Sequence, residues 1–425
     1  MQAPQQQDVV VIGAGIIGAM CALYLQRAGR SVLLLEREAP ASGASAGNAG
    51  ILAFPEITPM ASPGIMRKAP RWLLDPLGPL SIRPQYALRI APWLWRFWRA
   101  CTPSQYRRTT QVQASMMQLA QAEMQAIAAH PQLAPFFRQI GTLDLYDSAA
   151  SFDKTAADWA LKAQAGVQFQ RVGRTEIDQL QPGLAPQFQH GMFTPTGTQV
   201  LEPKQLTQAV VALAESEGVQ VRTAQVKALT PARKASGSDS GVLITLADGQ
   251  QLHAAAAVVA CGAWSKPLAS SLGDTLPLDT ERGYNTTLPP DSGQVQRQLY
   301  FNDHGFVVTP LSTGIRVGGA VEFAGTELPP NYGRAQALLR KAQQFLPGLR
   351  TTGGTQWMGF RPSLPDCLPA IGPSAHCPHV MYAVGHGHLG LTQSAATGRL
   401  ISELLTQRPP SVDLTPLRPD RFASS

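Results

Sequence analysis

Three observations predict an α/β fold joined to a second, α+β part built on a mixed β-sheet. An apolar run, Val9-Val10-Val11-Ile12, leads straight into the turn Gly13-x-Gly15-x-x-Gly18 and then a helix-like stretch over 19–28. A second apolar run over 31–35 follows and ends on the acid Glu36. Far downstream, segments 256–265 and 380–391 each carry an apolar strand that closes on glycine, as parallel strands do when they return to one nucleotide.

The order strand, glycine turn, helix gives the first segment its meaning. Gly13 permits the tight turn, Gly15 lets the backbone N–H groups around Ile16 and Ile17 approach a pyrophosphate, and Gly18 lets the helix pack on the strand, so the segment is Rossmann-like. Glu36 falls 18 residues after Gly18, where an acid holds ribose hydroxyls and disfavours a 2′-phosphate, with Arg37 beside it. FAD or NAD is therefore expected rather than NADP. The small-residue loop over 42–50 offers Ser45, Asn48, Ala49 and Gly50 to a diphosphate or a flavin edge. Cys261, Gly262 and Trp264 close the strand at 256–265. Near the C-terminus, Gly385-His386-Gly387-His388-Leu389-Gly390-Leu391 leads into a helix from Thr392 to Leu405, whose N-terminus would stabilise negative charge on a reduced flavin.

Composition sets the class. The chain has 425 residues, enough for two or three domain-sized units, with 44% hydrophobic and 15% charged residues, which excludes disordered and fibrous classes. Its five cysteines form no CxxC pair, so neither a structural zinc nor a disulfide framework is expected, and a reducing compartment is the simpler reading. Segment 1–7 has no charged and apolar stretches of the signal-peptide kind, and no apolar run reaches the roughly 18–20 residues that span a bilayer. The net charge of +7 is local: segment 64–108 holds nine Lys/Arg against Asp75, and the rest of the chain sums to −1. This argues against nucleic acid and for one basic surface. The same segment carries Trp72, Trp93, Trp95 and Trp98, a mixture that suits an anionic membrane surface or, alternatively, a core helix with buried rings and wet arginines.

Several longer stretches carry a family likeness: Gly43-Ala44-Ser45-Ala46-Gly47-Asn48-Ala49-Gly50, segment 71–83, Pro277-Leu278-Asp279-Thr280-Glu281-Arg282-Gly283-Tyr284, Trp357-Met358-Gly359-Phe360-Arg361-Pro362 and Gly385-His386-Gly387-His388-Leu389-Gly390. With these in order, the chain resembles the D-amino acid oxidase superfamily nearly end to end, and within it the D-amino acid dehydrogenase family, nearest to the branch that includes glyphosate oxidoreductase. The resemblance implies FAD as cofactor and oxidation of amines to imines. Through the family's membrane-associated members it also implies a quinone or other respiratory acceptor; the expected place is cytoplasmic, on the inner face of the membrane if the basic segment meets lipid. Two positions depart from the pattern. Asn285 stands where such proteins commonly have His, and Gly359 stands where covalently flavinylated sarcosine oxidases have Cys, so noncovalent FAD is implied.

On this reading the FAD-binding part spans 1–95, 200–275 and 355–425, and the substrate part 96–199 and 276–354. The latter is expected to contain a helix over 112–129 and strands over 141–146 and 305–309. Segment 232–241, rich in Ser, Gly and Lys, reads as a surface loop between Val226, a family candidate for adenine contact, and a strand over 242–246. Arg361 is the first choice for a carboxylate anchor because guanidinium offers a planar fork, the alternative being a pair with Asp366. Tyr284 is expected to offer a hydroxyl to the substrate or else to pack in a strand, and Arg282 to support structure or pair with Glu281. His386 and His388 could orient substrate or accept a proton, or be satisfied structural groups, and no metal site is expected from them. The expected reaction is FAD-dependent oxidation of a D-amino acid or a relative such as D-hydroxyproline, sarcosine, glycine or a glyphosate-like amine. The alternatives are a flavin 2-hydroxy-acid dehydrogenase and a flavin-binding subunit of an electron-transfer complex.

Overall fold

Strand β1 (Gln5–Ile12), helix α1 (Ile16–Arg27) and strand β2 (Val32–Glu36) form where the apolar runs and the glycine turn place them. The computed structural model describes residues 5–66, 78, 80–233 and 239–422. Val9, Val10 and Val11 are fully buried, as continuous apolar strands are when both sheet faces are covered. Five further strands matter to the site: β3 (Gln251–Val259), β4 (Asp279–Leu288), β5 (Gly314–Phe323), β6 (Thr355–Ser363) and β7 (Val380–Val384).

Among the described residues the first sheet has eight strands. Its central order is Gln220–Thr223, β2, β1, β3, Asp239–Leu246, Val226–Arg233. The first four of these run parallel, with Val9 opposite both Val32 and Ala256. One edge of β3 is divided between two partners: Gln251–Ala254 pairs antiparallel with residues 242–245, while Ala257–Val259 pairs parallel with Val380–Tyr382 of β7. Chain order reverses between β1 and β3, and the crevice beyond their carboxyl ends is where open α/β sheets take ligands. Helix α1 and the helix Pro203–Ser216 pack on one face with the C-terminal helix Gly390–Leu405.

The second sheet has nine strands among the described residues, in the order β6, β4, β5, Phe306–Leu311, Gln298–Phe301, Thr142–Tyr146, His190–Thr194, Gln170–Gly173, with Leu80–Ile82 added to β5. It is mixed, as expected. Its membership crosses the expected division of the chain, since β6 and Leu80–Ile82 fall in segments assigned to the nucleotide part yet hydrogen-bond to the second sheet. An isolated bridge between Ser363 and His386 ties the end of β6 to the loop after β7.

Two local expectations are corrected. The helix expected over 112–129 begins at Pro103, because Pro suits the first helical turn and the Thr102 hydroxyl caps it by accepting from Gln105 N–H. The surface loop expected over 232–241 is instead partly strand: Val226–Arg233 and Asp239–Leu246 pair as a hairpin, and 234–238 lie outside the described residues. Arg67, Lys68, Arg71, Trp72 and Asp75 of the basic segment also lie outside them. Helix α2 (Ala87–Ala100) carries the rest of the tryptophans. No helix among the described residues is long and apolar enough to cross a membrane.

Candidate active site

A cavity of about 990 Å3 runs from the carboxyl ends of β1 and β2, past the 42–50 loop and the 385–391 loop, to a wall formed by β4, β5, β6 and helix α2. At its nucleotide end the glycines act by closeness. Gly13 has φ +104°, and a Cβ there would stand 2.6 Å from Ala260 O; a Cβ on Gly18 would stand 1.8 Å from Gly13 O. Helix α1 can rest on the turn only because both side chains are missing. The Glu36 carboxylate accepts from Ala14 N–H at 2.7 Å and Arg37 N–H at 2.8 Å, which fixes its orientation at the cavity wall with acceptor capacity to spare for a ribose. Arg37 stacks 4.0 Å over the Trp264 ring, and both line the cavity with Val226, Cys261 and Gly262.

Gly13, Gly15, Ile16, Ile17, Ser45, Asn48, Ala49, Gly387, His388, Gly390 and Leu391 line the same space. The Ile16 N–H is already given to Ser45 Oγ at 2.9 Å, so it is the Ser45 hydroxyl hydrogen, rather than this amide, that is free to meet a phosphate. Four expected contacts stand behind the wall. Gly18 is consumed by helix packing. Gly50 gives its N–H to Asn48 Oδ1, Leu389 packs with Ile57 and Met117, and the Thr392 hydroxyl accepts from Ala53 N–H. Asn285 donates to Gly47 O at 2.7 Å and so pins the small-residue loop to the second sheet.

The expected catalytic residues divide. Arg361, on β6, opens into the cavity; its Nη1 donates to Ala320 O at 3.0 Å, and among the described residues no carboxylate closes an ion pair on it. Burial pushes the guanidinium below its ordinary pKa, with Glu281 opposing the shift. Burial in turn raises the Glu281 carboxyl against the pull of Arg361. The alternative pairing of Arg361 with Asp366 does not occur, because Asp366 is taken by Arg421 at 2.8 Å. Arg282 pairs with Glu322 at 3.7 Å rather than with Glu281, and donates to carbonyls of Ala324, Gly325, Leu328 and Pro329. Tyr284 is also corrected: its hydroxyl donates to Glu322 Oε2 at 2.5 Å and accepts from Asn331 N–H, so its one hydrogen is not available to a substrate.

His386 and His388 are unlike each other. His386 is 5% exposed, and its Nε2 lies 2.9 Å from Thr397 Oγ1, whose own hydrogen goes to Gln393 O. The imidazole must therefore be the donor, which sets the proton on Nε2, and burial pushes its pKa down to about 3. It is a satisfied neutral group. His388 opens into the cavity and is lowered by burial and by Arg361, with Glu56 opposing. Among the described residues no group of three or more His, Cys, Asp and Glu side chains could hold a metal.

Sequence reasoning passed over Glu56, Tyr300 and Asn302, which line the cavity, and Lys162, which pairs with Glu56 at 3.2 Å. Their one sequence signal is an acid directly after a run of small and apolar residues.

Residues 8–404 match the family model described as DAO, FAD dependent oxidoreductase, and the chain belongs to that family. It is 34% identical to a D-amino-acid oxidase of Bradyrhizobium diazoefficiens over 99% of this chain and 100% of that one. It is 31% identical to a D-amino acid dehydrogenase of the same organism, over 98% and 99%. The crystal structure of glycine oxidase from Geobacillus kaustophilus superposes with a TM-score of 0.75 at 22% identity, covering 98% of this chain and 99% of the other. The protein is thus an FAD-dependent oxidoreductase. The close approach of the Gly13 turn, the oriented Glu36 and the Arg37–Trp264 stack form a cradle that fits this dinucleotide.

Proposed function

We propose that the protein oxidises a D-amino acid, or a related secondary amine, to the imine. FAD, when bound, supplies the acceptor for the hydride that leaves Cα. The observation that carries the reading is Arg361, a cation within the cavity wall that has no ion pair among the described residues and whose planar fork matches a carboxylate. Arg361 binds and orients the substrate, and Ala320 O fixes the plane of the guanidinium. Glu281 behind it limits the cost of burying the charge. His388, held neutral, can accept a hydrogen bond from the amine without adding a second positive charge. His386 sets the shape of the 385–391 loop and takes no proton at neutral pH. Positioning is most of the catalysis here. The cofactor is held noncovalently: a Cβ on Gly359 would meet the Trp357 ring at 1.9 Å, and the Cys261 thiol donates to Ile12 O and is pushed up to about 12.

Mixing the flavin-loaded protein anaerobically with D-amino acids, imino acids, N-alkyl glycines and 2-hydroxy acids tests the reaction class. Bleaching by the amines is expected. Bleaching by hydroxy acids alone would overturn the reading.

Helix α2 supports a second reading, attachment to an anionic membrane near a quinone pool. Trp93 is buried against Phe97 and Phe323, but Leu88, Trp95 and Trp98 form an outward stripe, 91%, 58% and 49% exposed, beside the exposed Arg89 and Arg99. Co-sedimentation with anionic vesicles at low salt, lost in Trp95→Ala/Trp98→Ala, is expected. Equal sedimentation of both proteins would reject the role of this face.

A further inference from the structure

The cavity has a second charged wall that the oxidation of an α-amine leaves unexplained. Glu56 is fixed from both sides, by the Ala53 N–H bond to Thr392 Oγ1 (3.0 Å) and by Ile57 packed on Met117 and Leu389. Its carboxylate lies 3.2 Å from Nζ of Lys162, a residue only 7% exposed whose ammonium sits 4.5 Å from the Trp159 ring centroid. Asp144, also buried, lies within electrostatic reach of Lys162 and accepts from Asn302 Nδ2 at 3.0 Å. Two carboxylates therefore share one buried cation. The surplus negative charge is presented to the cavity at Glu56, whose side chain keeps 32% of its surface open while enclosed by protein. His388 feels both Glu56 and Arg361, so the cavity has a positive and a negative pole within reach of the same imidazole.

We propose that Glu56 is a specificity-determining residue that receives a cationic group at the end of the substrate side chain, so that amino acids with basic side chains are preferred. The inference rests on the reading that Arg361 takes the substrate carboxylate. The α-amine is a poor partner for Glu56, because it must be uncharged to release hydride from Cα and a carboxylate that holds it as ammonium opposes the reaction. A side-chain cation keeps its charge throughout. Lys162 holds the acceptor in place, and the substrate cation completes the balance of two carboxylates with two cations.

The test uses desamino analogues, which bind but offer no α-amine to oxidise. Calorimetry on the FAD-loaded protein compares 6-aminohexanoate with hexanoate. The parent is expected to favour 6-aminohexanoate by roughly tenfold or more, the effect of one hydrogen bond to a charged group. In Glu56→Gln the ratio is expected to fall to within about twofold of unity. Glu56→Gln/Lys162→Met should behave alike without stranding a buried ammonium. A ratio near one in the parent, or a ratio that survives in both variants, overturns the proposal. Failure of the underlying reading has its own signature: both ligands would bind Arg361→Ala as tightly as the parent, whatever their ratio.

Discussion

Gly283→Ala probes the proposed carboxylate anchor, Arg361, without removing its charge. Gly283 on β4 pairs with Gly359 on β6, and a Cβ at 283 would stand 2.2 Å from Nη2 and 2.4 Å from Cζ of Arg361. The backbone at Gly283 is not in the left-handed region, so alanine adds no strain of its own. Ordinary contact distances require the guanidinium to retreat by roughly 1 Å. A fork displaced that far keeps at most one of its two bonds to a carboxylate. One charge-assisted bond is worth about 1.5–3 kcal/mol, which is roughly 10- to 150-fold in kcat/KM. The assay is dye reduction by the best amine of the panel, with flavin absorbance and melting temperature as controls for folding. Arg361→Ala alone should lose both bonds, roughly 100-fold or more, and Gly283→Ala should add nothing in that background because nothing is left to displace. The reasoning fails if Gly283→Ala keeps kcat/KM within about threefold, or if its effect is the same with and without Arg361.

Asp144→Asn tests the buried charge wall through stability. Burial pushes the Asp144 pKa up from 3.8 to about 6, so the folded state binds more protons than the unfolded one between about pH 4 and 6, and stability falls as pH rises through that window. Asparagine escapes this loss, so the variant should melt at the same temperature as the parent near pH 4 and higher at pH 8, by an amount on the order of 3 kcal/mol at most; equal differences at both pH values would refute the assignment. Tyr284→Phe strips a donor from Glu322 and an acceptor from Asn331 N–H, a cost of about 1–3 kcal/mol in stability with KM nearly unchanged, and a raised KM without a melting shift would return the hydroxyl to the substrate. Gly18→Ala drives a methyl into Gly13 O, so flavin should be lost on desalting; full flavin retention would contradict the packing described for α1.

The nucleotide half was legible because its signals are local. Burial on both faces makes segments 9–12, 32–35, 256–259 and 380–384 continuous apolar runs, and close approach demands glycine at 13 and 18, so both leave marks within a few residues. The second sheet was less legible. The transfer of β6 to it depends on pairing with β4, about 75 residues away in sequence, which no local period encodes. Tyr284 shows the same limit at the scale of one side chain: whether its hydroxyl faces substrate or Glu322 turns on the irregular register between Arg282 and Tyr284 opposite β5. The Glu56 wall was hidden because its members come from a loop, a strand and a helix, with Glu56 and Lys162 106 residues apart, and each alone looks like an ordinary surface charge. Thr102 and Pro103, by contrast, do mark the start of a helix in the sequence, but its first turns are polar, so the apolar period becomes visible only from Val112.

The divided edge of β3 sets the order in which this molecule can be made. During synthesis β1, α1 and β2 leave the ribosome early, yet once β3 has followed them the place beside Ala257–Val259 stays vacant until β7 is translated about 120 residues later. A nascent chain halted before that point keeps a bare strand edge next to its flavin crevice, open to any other extended peptide. Holoenzyme assembly should therefore be a late, post-translational event, and C-terminal truncations should yield colourless, aggregation-prone protein rather than a smaller flavoprotein.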